Sequence, residues 1–391
     1  MITPIYDVVI VGGGIHGAGV AQAAAAAGYS TLLLERTGLA SGTSSRSSKL
    51  IHGGLRYLES GQLGLVRESL REREILLRLA PELVRRVPFY IPVYACTRRG
   101  PWTIRAGLSL YALLGGLSRE TRYETLPRTR WGALDGLGTN GLQAVFCYQD
   151  AQTDDAALTR AVMRSAQTLG ATLCCPANFL SAKQTQDGFR IHYLEGDKEV
   201  LCHGKTLVNA AGPWVNTVLD RVAPRSDSLL MELIQGTHIL LEGETRNGIY
   251  YVEAPRDGRA VFVMPWKGNT LVGTTETPYH GDPAVVQPLP DEVDYLRETF
   301  HNYFPARNAN PLSSFAGLRV LPHAAQGTFH RARETRLQTD TPRKPRLVSI
   351  YGGKLTGYRA TAAKVVALLR HNLPSCPMRA DTAQLPLTPV E

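Results

Sequence analysis

Between Ser47 and Glu59 the chain reads SSKLIHGGLRYLE. Two serines, a lysine, a histidine, two glycines, an arginine and a tyrosine crowd into that span, with little apolar filling. An amphipathic helix has no use for Gly53 and Gly54 in its path, so the stretch reads as a wall for a large, flat, polar ligand. Glycines admit a close approach, and the planar fork of Arg56 suits phosphate oxygens. The ordinary alternative for Arg56 is an ion pair with Glu59. Other residues of the right type lie further on. His238, in LIQGTHILLE, is either a proton acceptor or a hydrogen-bonded core histidine. Thr274 and Thr275, in GTTET, either pack as strand residues or donate to a ligand. Arg319, in AGLRVL, sits in an apolar stretch where a lone charge needs a partner, and an anionic substrate supplies one.

These residues need elements to hold them. Tyr6–Arg36 reads YDVVIVGGGIHGAGVAQAAAAAGYSTLLLER. Asp7–Val11 is a buried parallel strand by its β-branched run. Gly12, Gly14 and Gly17 form G-x-G-x-x-G, a small-residue helix follows over Ile15–Ala27, and a second strand over Ser30–Leu34 ends at Glu35. Strand, glycine turn, helix and terminal acid in register define a dinucleotide site. The helix start favours a pyrophosphate, and Glu35 can accept the ribose hydroxyls. A strand at Thr206–Asn209 runs into Ala-Ala-Gly-Pro. Another at Leu347–Tyr351 runs into Gly352-Gly353, with a helix expected from near Lys354. A second helix start aimed at the ligand has a use with FAD, where it stabilises negative charge on the reduced ring. NAD needs no such site, so the cofactor reads as FAD. The short β-rich segments GIYYVEA, RAVFVMPW and NTLVGTTET point to an antiparallel sheet over it.

The 391 residues are 43% hydrophobic and 20% charged, enough for two joined domains. No linker, low-complexity tract or repeat separates them. The expected architecture is α/β: a discontinuous Rossmann-like FAD-binding domain (1–75, 145–222 and 312–375) interleaved with an antiparallel-sheet substrate domain (76–144 and 223–311), then a tail (376–391). The formal charge of +9 favours an anionic ligand or membrane surface. Nucleic acid ranks last, since no binding motif is present and basic residues are interspersed with acidic ones. The six cysteines show no C-x-x-C or zinc spacing, so no metal site is expected. No signal peptide or membrane-spanning run is recognisable. Ala106–Leu117, behind Arg98, Arg99 and Arg105, reads as a buried helix or as an interfacial one.

Together VGGGIHGAG, GTSSRSSKLIHGGLRYLE, NAAGPWVN, GTTET, GLRVL and YGGKLTGYR resemble the FAD-dependent glycerol-3-phosphate dehydrogenases, a branch of the D-amino-acid-oxidase-like flavoproteins. The resemblance runs from about Tyr6 to about Leu369. It implies oxidation of sn-glycerol 3-phosphate by hydride transfer to flavin N5, with electrons leaving to a quinone or another non-NAD acceptor. It further implies a cytoplasmic protein in peripheral contact with the inner membrane. Non-covalent FAD is implied to rest on Gly12, Gly14, Ile15, His16, Gly17, Glu35 and Arg36, on Thr43, Ser44, Ser45, Ser47, Ser48, Lys49 and Leu50, and on Ala210, Gly212 and Trp214. Gly353, Lys354, Leu355 and Thr356 join them, while His52, Gly53 and Gly54 approach the ring. Arg56, Tyr57, Thr275, Arg319 and Arg333 are implied to meet the phosphorylated alcohol. His238 and His52 are the candidate bases, with His238 favoured, and Lys354 and Arg319 stabilise developing charge. Members of this family continue into a further helical domain, whereas this sequence ends at Glu391. The rivals are an amine or amino-acid oxidase of the same fold and a flavin-binding subunit without turnover.

Overall fold

The computed structural model describes residues 3–117, 120–322 and 335–390. Among them, the strand Ile5–Val11 is flanked in parallel by Thr31–Leu34 and by Lys198–Asn209. Thr172–Cys174 and Leu347–Tyr351 extend the parallel array on either side. Val8, Val9 and Ile10 are fully buried, as strands covered on both faces must be, and this is why their sequence is continuously β-branched. Seven α-helices are described: α1 (Ile15–Ala26), α2 (Leu63–Leu79), α3 (Pro101–Leu114), α4 (Asp155–Thr168), α5 (Val215–Leu219), α6 (Pro290–Tyr303) and α7 (Tyr358–Leu369). The alanine-rich α1 is buried all round, packed against α4 and α7. Its small side chains permit that approach: a Cβ on Gly19 would lie 2.7 Å from the Tyr358 ring.

The second sheet runs Thr277–Tyr279, Met231–Leu241, Asn269–Gly273, Ala260–Trp266, Ile249–Glu253, Val84–Tyr94, Leu142–Thr153 and Leu50–Ile51, with Pro311–Pro322 paired to Met231–Leu241. It is antiparallel except where Ile249–Glu253 meets Val84–Tyr94. One face carries Leu296 and Phe300 of α6 and Phe304 just past its end.

Three expectations are corrected here. Residues 145–153 and 312–322, placed in the nucleotide domain, belong to the second sheet. Leu142–Thr153 is held along its length by Val84–Tyr94, and Pro311–Pro322 by Met231–Leu241; a long strand goes where its ladder partner lies. The C-terminal helix starts at Tyr358 rather than near Lys354. The intervening residues form a turn closed by Gly357 N–H to Lys354 O (3.2 Å), and the Thr356 hydroxyl accepts the His52 N–H at 3.1 Å. Residues 376–390 are no loose tail. The Arg379 N–H donates to Ala26 O and the Leu387 N–H to Leu79 O, each at 2.7 Å, and Leu387 is buried in the core around α1.

Candidate active site

Two adjoining clefts open along the boundary between the sheets. The first follows the carboxyl ends of the parallel strands, the place where such sheets bind ligands. It is lined by Gly12–His16, Glu35–Thr37, Thr43, Ser44, Ala210–Trp214 and Gly352–Leu355. The glycine turn is sterically obligatory: Gly12 has φ +111°, and a Cβ there would lie 2.6 Å from Ala210 O. The Glu35 carboxylate is positioned by the Gly13 N–H (2.6 Å) and the Thr37 N–H (2.8 Å). The Ser44 hydroxyl accepts the Ile15 N–H at 2.9 Å at the start of α1. The Arg36 guanidinium stands 5.2 Å from the Trp214 ring. Gly353 has φ +111°, and a Cβ would strike the His16 ring at 2.1 Å. A nucleotide diphosphate has what it needs here: backbone N–H groups, a helix start and a carboxylate at the sheet end.

The second cleft shares Thr43, Ser47, Tyr57, Leu318, Arg319, Lys354 and Leu355 with the first. It adds the polar residues Arg56, His52, His238, Thr274 and Glu276 and the aromatic residues Phe89, Tyr148, Tyr251 and Phe262. His238 Nε2 is 3.0 Å from the Ser48 hydroxyl, and its ring stacks on Phe315 at 5.0 Å. Burial, Lys49 and Arg319 together push its pKa down to about 3. Its Nδ1 has no hydrogen-bond partner among the described residues, and neither does Nδ1 of His16. Two buried ring nitrogens on cleft-lining residues suit a ligand that satisfies them. The Lys354 ammonium lies 3.6 Å from the centre of the Tyr57 ring. Arg319 Nη2 donates to Thr275 O at 2.5 Å and Nη1 to Glu276 Oε1 at 2.8 Å. Arg56 lies 3.5 Å from the same Glu276 oxygen. Arg56 and Arg319, far apart in sequence, therefore share one wall, and Arg56 is paired with Glu276 rather than Glu59, which binds Arg99 instead.

Several expected ligand residues serve elsewhere. Lys49 turns inward to Asp155 (2.7 Å) because that carboxylate, fully buried at the start of α4, needs a cation. Ser47 also donates to Asp155, at 2.6 Å, while staying on both clefts. Ser45 lends its carbonyl to Lys49. Gly53 makes its close approach to Tyr111 and Leu70, and Gly54, with φ +79°, to the Tyr57 ring. Gly17 meets the Gly12 carbonyl rather than the cleft. The Thr275 hydroxyl is bound between the Thr237 N–H and Glu292 (2.8 and 2.7 Å), so Thr274 faces the cleft in its place. Leu50 and Thr356 line the second cleft, not the first. Arg333 lies outside the described residues. Arg99 bridges Glu59 and Glu253.

Three further residues shape the site. Glu276 stood in the quoted GTTET without a role, Arg259 pairs with it, and Asp155 organises the loop of Ser45–Lys49. An acid after two threonines and an Asp-Asp pair before a helix were the available signals.

A parallel sheet, an obligatory glycine turn and a doubled cleft define an FAD-binding oxidoreductase. Residues 7–367 match the DAO family, FAD dependent oxidoreductase, and the chain belongs to it; FAD is its cofactor. The chain is 37% identical to glycerol-3-phosphate dehydrogenase of Pseudomonas aeruginosa, covering 94% of this chain and 72% of that one. It is 35% identical to D-erythritol 1-phosphate dehydrogenase of Brucella abortus, covering 94% and 74%. The crystal structure of glycerol-3-phosphate dehydrogenase from Bacillus halodurans complexed with FAD superposes with a TM-score of 0.75 at 28% identity, over 98% of this chain and 67% of that one.

Proposed function

We propose that this protein oxidises sn-glycerol 3-phosphate to dihydroxyacetone phosphate. The convergence of Arg56 and Arg319 on one wall, beside His238 and adjoining the FAD cleft, carries the reading. Bound FAD supplies the acceptor of the substrate's hydride. The protein's residues hold the phosphate, orient the carbinol and take its proton. Arg56 and Arg319 form charge-assisted bonds to the phosphate. His238 is neutral throughout the physiological range and can accept the hydroxyl proton. Its basicity is held down partly by Arg319, so a phosphate on Arg319 cancels that field and makes the imidazole a better base when substrate is present. His52 is the alternative base on the same cleft. Lys354 stabilises negative charge developing beside it.

The relative from Brucella abortus supports a second reading, a longer phosphorylated polyol. Anaerobic addition of glycerol 3-phosphate, D-erythritol 1-phosphate and amino acids to the yellow protein separates the readings. Bleaching by the first supports the proposal, bleaching by the second alone selects the longer polyol, and bleaching by amino acids alone overturns both. Non-covalent FAD puts the colour in the supernatant after acid precipitation; among the described residues no cysteine lines either cleft.

Electrons are proposed to pass to a quinone at the cytoplasmic face of the inner membrane. No helix among the described residues is long and apolar enough to cross a membrane. The support is α3, whose outward side carries Trp102 (79% exposed), Arg105 and Leu113 (59% exposed). Apolar and basic residues on one helix face suit an anionic interface. Flotation with anionic liposomes is expected and should fail in Arg98→Glu/Arg105→Glu; flotation unchanged in that variant rejects this helix.

A further inference from the structure

We propose that Glu276 sets the charge and the orientation of the anion site, an inference that rests on the phosphate reading above. Three guanidiniums meet on its carboxylate. Oε1 takes Arg319 Nη1 at 2.8 Å and faces Arg56 Nη2 at 3.5 Å, while Oε2 pairs with Arg259 Nη2. Arg259 Nη1 also donates to the Glu276 carbonyl at 3.3 Å. Exposure rises outward through the cluster. The side chains are 4% exposed at Glu276, 12% at Arg259, 23% at Arg319 and 30% at Arg56. Glu276 and Arg259 therefore form the back of the site, and Arg319 and Arg56 its face. Gly236 leaves room for the Arg319 guanidinium, since a Cβ there would lie 2.5 Å from its Nη2.

Three guanidiniums and one carboxylate leave two positive charges in a poorly solvated place. A phosphate monoester carries about −1.5 to −2 near neutral pH. The cluster of Glu276 and its three arginines is thus close to neutral once phosphate is bound, the arrangement a desolvated cluster requires. Removing the Glu276 charge leaves three cations repelling one another until an anion arrives. The empty site becomes less stable, and the phosphate is held more tightly and released more slowly. Glu276 is a positioning residue that keeps the site loose enough to turn over.

Thermal unfolding of the FAD-loaded protein in rising inorganic phosphate tests this. Wild type and Glu276→Asp should respond at similar concentrations. Glu276→Gln should unfold at lower temperature without phosphate and reach half-saturation at roughly tenfold lower phosphate, the scale of one close charge contact. Its kcat and KM should fall together, whereas a merely structural lesion lowers the amount of active enzyme or raises KM. Glu276→Gln/Arg259→Gln restores two positive charges and should return half-saturation to the wild-type value. Arg259→Gln alone leaves one positive charge and should bind phosphate more weakly, which keeps the test open if Glu276→Gln fails to fold. Unchanged or weaker phosphate binding in Glu276→Gln overturns the proposal, as does tight binding in the double variant or wild-type binding in Arg259→Gln. No phosphate response in wild type overturns the phosphate reading itself.

Discussion

Arg319 does three jobs with one side chain. It fixes the Thr275 carbonyl, pairs with Glu276 and lines the cleft. A lysine ammonium cannot span those partners in one plane. Arg319→Lys should retain FAD yet lose about 2–5 kcal/mol of transition-state binding, roughly 30- to 4000-fold in kcat/KM on glycerol 3-phosphate. Its loss on unphosphorylated glycerol should be small; equal loss on both substrates would assign Arg319 to the fold or the chemistry instead. His238 gives a pH signature. Its pKa is about 3 when folded, against an ordinary value near 6.5. The unfolded chain therefore binds a proton that the folded one refuses. The stabilisation is complete above about pH 6.5 and drains as pH falls toward 3, by about 2 kcal/mol between pH 6.5 and 5. Chemical denaturation across that range should show a shallower slope for His238→Gln, and identical slopes would refute the assignment. Such residues were only partly legible. Arg56, Arg319 and His238 could be nominated by type and motif, but their common wall depends on strands that pair across the whole chain. The burial that makes Glu276 significant has no trace in its neighbours.

The loop from Thr43 to Leu50 shows how an element can be found while its side chains are misassigned. Its polarity correctly marks a cleft wall, since Thr43, Ser44, Ser47 and Ser48 line one or both clefts. Polarity does not tell which member faces inward. Lys49 does, because the start of α4 buries Asp155 against the same loop. Lys49→Met should leave that carboxylate uncompensated at a cost of about 3–5 kcal/mol. Lys49→Met/Asp155→Asn should recover part of it, as a double-mutant cycle by urea unfolding would measure. Additive losses would mean that the pair is not coupled. The strands of the parallel sheet were legible because burial on both faces writes itself as β-branched runs. The start of α7 was not, because a turn closed from the Gly357 N–H to Lys354 O takes backbone groups that a helix would use.

At the scale of the molecule, every part is tied to a distant part of the sequence. Leu387, near the end of the described chain, sits 3% exposed in the core around α1. Leu387→Ala should cost about 2–5 kcal/mol, read as a lower unfolding temperature of the FAD-free protein. An unchanged value would show that the segment only rests on the surface. Interleaving was legible from the scattered nucleotide motifs. Its boundaries were not, since strands such as Pro311–Pro322 take their membership from a partner some eighty residues away. The FAD cleft itself takes residues from both ends, Gly12–His16 and Gly352–Leu355. During synthesis the first strand leaves the ribosome long before its neighbour Lys198–Asn209, and longer still before Leu347–Tyr351. Cofactor loading thus waits until Gly352–Leu355 has emerged, and the half-sheet that precedes it, with its apolar strands unpaired, is exposed to aggregation.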